Sequence, residues 1–580
     1  MAYRKKPKRK AGMGYILILL LILIVFAVAA VFISRRFAPS KASTDLNEYY
    51  NMTAQESTHR PAAGNDDLAI VLDNVILDGS DPSEFRALRS GDGVFVSFDL
   101  IREKIDNRFY QDKNEGLIIF TNAVDSYITA IGSTVYSDSE GEKDTGYVIA
   151  RETGDKIYLN MAFAAVCTGI EYDIYSNPSR LIINIPSASA EYVTCSTDVM
   201  MRSGASKKSS VVFQEEKNSK LKVIDQKEGW LKVIDGSGLT GYVQSNFVSE
   251  IFTETSGSAF TEPEYTHILL NEPVNMVWHG IYYYESNQYV QGYTANMKGV
   301  NVISPTWFLF ADDYGNILTY ADYDYVNYAH DIGCSVWAML EDMDGESCQE
   351  IIPYTSCRQT AISQMIDTCL NYGIDGINVD LETVTSSIGE DFIQFIRELS
   401  VQCRKNGLVL SVADYAPYSY NAFRHTDEQS RICDYVAIMA YDDYVGADEA
   451  GPNAGIPFVT EVMNLCTTTV DMSRLIVGIP FYTRVWYEYS DGTLGRDTVD
   501  MHGIEDLEWQ HGLTYEWLED VGYDYSEYET DGTRVRLWYE NARSLEEKLK
   551  VIQDYNVAGI ASWRLGQETD DIWDVLEKYY

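Results

Sequence analysis

The stretch NYGIDGINVDLETV, residues 371–384, places Asp375, Asp380 and Glu382 in and around an apolar run from Ile374 to Leu381. Carboxylates are seldom fully buried unless they are paired. Read as a β-strand, GINVDLE turns every second side chain to one face, so Asn378, Asp380 and Glu382 share a side, with Glu382 at the end. Three polar groups in a row on a core-facing side are costly unless each is satisfied, which argues for chemistry rather than packing. Two stacked carboxylates push each other's pKa values apart, leaving one ionised and the other protonated near neutral pH. The protonated one can serve as a general acid. The strand-terminal Glu382 is the expected acid, and the deeper Asp380 the expected permanent anion.

Such a strand needs neighbours of the same kind. Short apolar strands alternate with helical patterns over residues 274–281, 300–308, 334–340, 376–382, 408–414, 435–442, 474–481 and 558–564. That alternation is the signature of βα units around a parallel sheet. Eight units of this total length predict a (β/α)₈ barrel, an α/β fold whose site lies at the C-terminal strand ends. Residues 482–557 leave room for an inserted subdomain. At the strand ends, Asp414 and Tyr415, Asp442, and Tyr482 and Arg484 are placed to line a cleft. Trp278, Trp307 and Trp337 fit core positions better than a ligand surface. The seven histidines show no ligand spacing, so neither metal nor cofactor is expected.

The segment DGINVDLE resembles the D-x-x-D-x-D-x-E signature of glycoside hydrolase family 18, the chitinase-like barrels. MAYD (439–442), GIPFYTRVW (478–486), GIASWRLGQE (559–568) and SPTWF (304–308) are similar to further motifs of that family, in the same order. The resemblance covers roughly residues 270–580 and implies substrate-assisted, retaining hydrolysis of N-acetylglucosamine glycans. It implies Glu382 as acid and base, Asp380 as orienter of the substrate acetamido group, and Tyr441 as donor to its carbonyl. Trp563 is implied as the floor under the sugar, with Asp375 and Asn378 in support. One position departs from the signature: Asn378 stands where the family has aspartate. That departure is similar to the spore-cortex-lytic branch and tilts the expected substrate from chitin to peptidoglycan. A non-catalytic glycan-binding protein, or a scaffold in wall or spore assembly, is the alternative, although the acid Glu382 is retained.

The rest of the chain places this region. Residues 1–13 form a basic tail and 14–33 an apolar run, with Arg35 and Arg36 after it. Nineteen apolar residues span about 28 Å, close to the ~30 Å of a bilayer core. The expected topology is a single-pass anchor with its N-terminus cytoplasmic and the remainder outside. A cleaved signal ending near Ala27-Val28-Ala29 is the competing reading. Residues 1–36 carry eight Lys/Arg and no acid, which leaves 37 basic against 87 acidic residues beyond them. That field repels a phosphate backbone, so no nucleic acid is expected as partner. A neutral glycan held by hydrogen bonds and aromatic faces fits it better.

Residues 34–66 read as a polar linker. Within 67–188 the segment 94–120 recurs as 157–184, each copy giving strand, short helix and two strands. This resembles a duplicated copper-amine-oxidase N-terminal-like domain used as a stalk. Residues 190–250 resemble a bacterial Src-homology-3-like domain, in which Trp230 and Tyr242 either line a groove or form core and rim. A second linker, 251–273, precedes the barrel at 274–580. Nine cysteines without any C-x-x-C pair read as buried apolar residues, with Cys348–Cys357 as one candidate bridge. Nothing in the sequence sets an oligomeric state.

Overall fold

The computed structural model describes residues 13–50, 66–72, 75–76, 86–91, 93–185, 189–255, 260–342, 347–444 and 449–580. They form two compact units, one of residues 1–106 and 147–262, the other of 107–146 and 263–580. The basic tail expected over 1–13 falls almost wholly outside the described residues.

In the first unit, Met13–Phe37 is one helix, and its Tyr15–Phe37 portion is long and apolar enough to cross a membrane. The segment after it is more than a linker. Ser43 bridges to Val211, and Tyr50 is fully buried among the apolar residues of the Src-homology-3-like sheet. The Tyr50 hydroxyl accepts the Thr240 amide at 3.0 Å, and the Arg180 guanidinium lies 5.3 Å from its ring. Leu46 and Tyr49 pack against the same core, and backbone bonds such as Thr44 N–H to the Val211 carbonyl at 2.7 Å add to the docking of this polar segment.

Both copies of the repeat form as expected, each with a short helix whose N-terminus is capped by Ser97 or by Asn160. They then diverge. In the second hairpin, Glu171–Tyr175 and Arg180–Asn184, the latter strand pairs in parallel with Asp66–Leu72. The first, Phe109–Asp112 and Leu117–Thr121, begins a separate five-stranded meander running to Asp144 that belongs to the second unit. The expected domain of 67–188 is therefore divided between the units.

The barrel strands of the second unit are β1 Val274–His279, β2 Val302–Phe310, β3 Ser335–Glu341, β4 Gly376–Asp380, β5 Val409–Tyr415, β6 Tyr435–Met439, β7 Leu475–Pro480 and β8 Gly559–Trp563. Each pairs in parallel with the next, and β1 closes on β8 through Val274 opposite Gly559. Strands buried on both faces are mainly apolar on both, as these are apart from buried polar residues such as Ser304, Asn378, Asp380 and Ser411. Helices α1 Thr355–Tyr372 and α2 Gly389–Asn406 flank β4 in sequence, and each ends at a left-handed glycine, Gly373 and Gly407.

The meander packs on these two helices. Asp112 accepts the Thr355 amide at 2.8 Å and its hydroxyl at 2.6 Å, which satisfies the start of α1, and Gln394 of α2 donates to Thr121 at 3.0 Å. The end of the second linker also belongs to the barrel, because Ile268 and Leu270 donate backbone bonds to Asp434 and to the Tyr435 hydroxyl. The insertion after β7 is a five-stranded antiparallel sheet with one helix, Met501–His511. All nine cysteines are free and buried, so Cys348 and Cys357 are not bridged.

Candidate active site

On β4, Asn378 is fully buried and both ends of its amide are used. Its oxygen accepts the Trp278 indole N–H at 3.1 Å, and its nitrogen donates to the Ser411 hydroxyl at 2.8 Å. An amide answers a donor on one side and an acceptor on the other, so Asn378 ties β1 to β5 across the barrel interior.

Asp380, one step towards the strand end, is 8% exposed, and its Oδ1 has no hydrogen-bond partner among the described residues. Burial pushes its carboxyl well above the ordinary range, and the charges of Glu382, Asp342 and Glu341 add to that, against the opposing pull of Arg424. The protonated form is thereby favoured at Asp380, where position along the strand had suggested a permanent anion. The same desolvation lifts Glu341, at the end of β3, to about 7.

Glu382 stands just past β4 at the rim. Asp342 shapes the turn that puts it there by accepting the amides of Glu382 at 3.1 Å and Thr383 at 3.3 Å. The Glu382 carboxylate in turn accepts the hydroxyl of Tyr415, the last residue of β5.

The far wall comes from β6 to β8. Tyr441 stands edge-on to Tyr482, with ring centroids 6.3 Å apart. Burial raises the hydroxyls of both well above their usual range, so both remain donors. Asp442 accepts from Tyr482 and from Arg484, the latter at 2.6 Å, and so joins β6 to the strand after β7. Gly478 permits this approach, since a Cβ there would lie 3.0 Å from the Tyr441 ring and from the Met439 Cα. Trp563 ends β8 and leans on Trp278, with centroids 5.9 Å apart.

These side chains enclose a cavity of about 630 Å³. Asp380, Glu382, Met439, Tyr441, Asp442, Tyr482 and Trp563 line it together with Trp278, Tyr415, Arg424 and a second aromatic group, Tyr418, Tyr420, Phe423 and Phe458. Arg484 meets the cavity only through Asp442, and two further expected residues lie elsewhere. Asp414 is fully buried behind the wall, where it accepts from Arg424, from Thr426 at 3.1 Å and from Gln429 at 2.8 Å. Asp375 sits before β4 begins, accepting the Val336 amide and the His330 imidazole, both at 2.8 Å. At about 3.3 Å per residue, it is roughly 16 Å down the strand from Asp380, so it supports the barrel's closed end rather than the site.

Residues 344–568 match the family described as glycosyl hydrolases family 18, and residues 197–249 match the bacterial SH3 domain. Residues 344–568 are thus a glycosyl hydrolases family 18 region. The chain is 23% identical over 237 residues to the cortical fragment-lytic enzyme of Bacillus subtilis, which covers 38% of this chain and 54% of that relative, about half its length. It is 21% identical over 300 residues to the uncharacterized glycosylase YvbX of the same organism, 48% of this chain and 84% of the relative. Among solved structures, the Bacillus cereus spore cortex-lytic enzyme SleL aligns with a TM-score of 0.48 at 17% identity, covering 53% of this chain and 74% of that one.

Glu341, Asp342 and Arg424 escaped the sequence reading. The first two were findable, because the rule that exposed β4 applies equally to the acids that follow the apolar run of β3. Arg424 gave no such signal. It lies nine residues past the end of β5 in a 3₁₀ turn, and only the folded chain returns it to the cavity.

Proposed function

We propose that this protein is a glycosidase that hydrolyses β-1,4 bonds of N-acetylglucosamine-containing glycans, peptidoglycan strands before chitin, by substrate-assisted retaining catalysis. The observation that carries the reading is the Asp380–Glu382 pair set in one cavity with the Trp563 indole and the Tyr441 hydroxyl. Glu382 donates a proton to the leaving oxygen as the acetamido oxygen of the same sugar attacks the anomeric carbon. The C–O bond to the leaving sugar breaks with its electron pair on that oxygen, and a cyclic oxazolinium ion forms. Glu382, now a carboxylate, then takes a proton from the incoming water, whose oxygen reopens the ring with retention. Asp380 accepts the acetamido N–H and stabilises the positive charge, Tyr441 donates to the acetamido carbonyl, and Trp563 stacks beneath the ring.

Peptidoglycan is favoured by the relative named for cortical fragments and by the bacterial SH3 region. The formal net charge of −42 and the acids beside the cavity suit the uncharged N-acetylglucosamine units of such a strand at the bond that is cut. The helix Met13–Phe37 would hold the enzyme at a membrane with the barrel outside the cell. Incubating the full chain with purified peptidoglycan and with chitooligosaccharides, followed by mass spectrometry of the products, tests the reading. New reducing-end N-acetylglucosamine from peptidoglycan is the expected result; no release from either substrate refutes it.

A further inference from the structure

Tyr415 at the end of β5 and Arg424 nine residues on bear on the carboxylate pair itself. Tyr415 donates its hydroxyl hydrogen to Glu382. Arg424, 2% exposed, is fixed by Asp414 and by the Leu381 carbonyl at 3.1 Å, and its guanidinium lies 5.5 Å from the Tyr415 ring. Its Nη1 has no hydrogen-bond partner among the described residues, and neither has Asp380 Oδ1. Both are held out of water with nothing to answer them, which is costly unless they serve the site.

We propose that Tyr415 and Arg424 are positioning residues that decide which member of the Asp380–Glu382 pair holds the shared proton before substrate binds. This rests on the reading of Glu382 as the acid. A donated hydrogen bond stabilises a carboxylate in its charged form, so Tyr415 draws the negative charge to Glu382 and leaves the proton on Asp380. The fixed positive charge of Arg424 limits how firmly Asp380 keeps that proton. The other groups that bear on the pair are Glu341 and Asp342 from β3, whose charges favour a shared proton, and the neutral hydroxyl of Tyr441 after β6. Asp442 is occupied by Tyr482 and Arg484. When a sugar enters, one proton moves from Asp380 to Glu382. The negative charge moves the other way, to the place where the sugar becomes positive, and Tyr415 keeps its own proton throughout.

The test uses the full chain as wild type, Tyr415→Phe, Arg424→Met and Arg424→Lys. Carbodiimide reacts with protonated carboxyls, so labelling of Glu382 against pH, read by peptide mass mapping, follows its protonation without need of turnover. Tyr415→Phe should raise the midpoint of Glu382 labelling by about one pH unit, the size of a lost hydrogen bond to a charged group. It should raise the acid limb of the kcat/KM profile equally and leave the alkaline limb in place. Arg424→Met should raise the alkaline limb, and Arg424→Lys should restore it. An unchanged labelling midpoint in Tyr415→Phe overturns the proposal, even if Arg424→Met does not fold. If wild type releases no sugar, the glycosidase reading fails while the labelling still decides this one.

Discussion

Buried carboxylates occur in two settings in the second unit, and the fold treats them in opposite ways. On the barrel's outer helices, Glu398 takes both prongs of Arg358 at 3.0 Å, and Glu428 takes Arg397 at 2.7 and 2.8 Å. Beyond the insertion, Glu540 takes Lys548 at 2.8 Å and Ser544 at 2.7 Å. At the strand ends, Asp380 and Glu341 each keep an oxygen without any hydrogen-bond partner among the described residues. The consequence is visible in their titration. Burial pushes Glu428 up, yet Arg397 holds it below its ordinary value, whereas burial and like charge drive Asp380 the other way. The acids on the outer helices are paired with guanidinium groups while these two at the strand ends are not, the arrangement that poises a carboxyl near neutral pH.

The comparison breaks most sharply at Glu382. Glu382→Gln should lower kcat/KM by about 10²- to 10⁴-fold, the worth of a general acid, with the protein still folded and binding glycan; steady-state rates and calorimetry check both halves. On the other side, Arg397→Met leaves Glu428 buried and alone. It should cost about 3–5 kcal/mol of stability, read by urea denaturation, and spare the activity of the folded fraction.

Asp380→Asn sharpens the contrast through pH. A carboxyl raised on folding contributes stability that is present below its unfolded value of ~3.9 and is lost as pH rises towards the folded value. The amide cannot ionise. The variant's Tm should therefore match wild type below about pH 4 and exceed it increasingly above, while its activity falls. The smallest effect is expected at the other end of the same strand. Asp375 is half exposed and paired with His330, so Asp375→Asn should cost at most about 1 kcal/mol and leave kcat/KM unchanged.

The sequence made much of this visible for a definite reason. A parallel barrel buries both faces of its strands, so polar residues such as Asn378 and Asp380 stand out against an apolar run, and period-two alternation assigns their direction. All eight strands fall where the apolar runs predict them. Loops obey no such period. That is why Arg424, Tyr418 and Tyr420 carried no sign of the cavity, and why Asp414 was placed in the cleft when a fixed guanidinium behind the wall claims it. Tyr50 was lost in the same way, because docking by a few side chains and backbone bonds leaves no period along the chain.

By itself, then, the sequence determined the barrel, the row Asn378–Asp380–Glu382 and the strand ends that face it, because local alternation and strand order suffice for those. The tertiary structure alone decided where the charges settle. Protonation at Asp380 depends on Glu341, Asp342 and Arg424, which only the closed barrel brings beside it, and on the burial that closure creates. It also decided that the two copies of the repeat part company, since a hairpin's partner is chosen by the surface it meets, and the first copy met the helices α1 and α2.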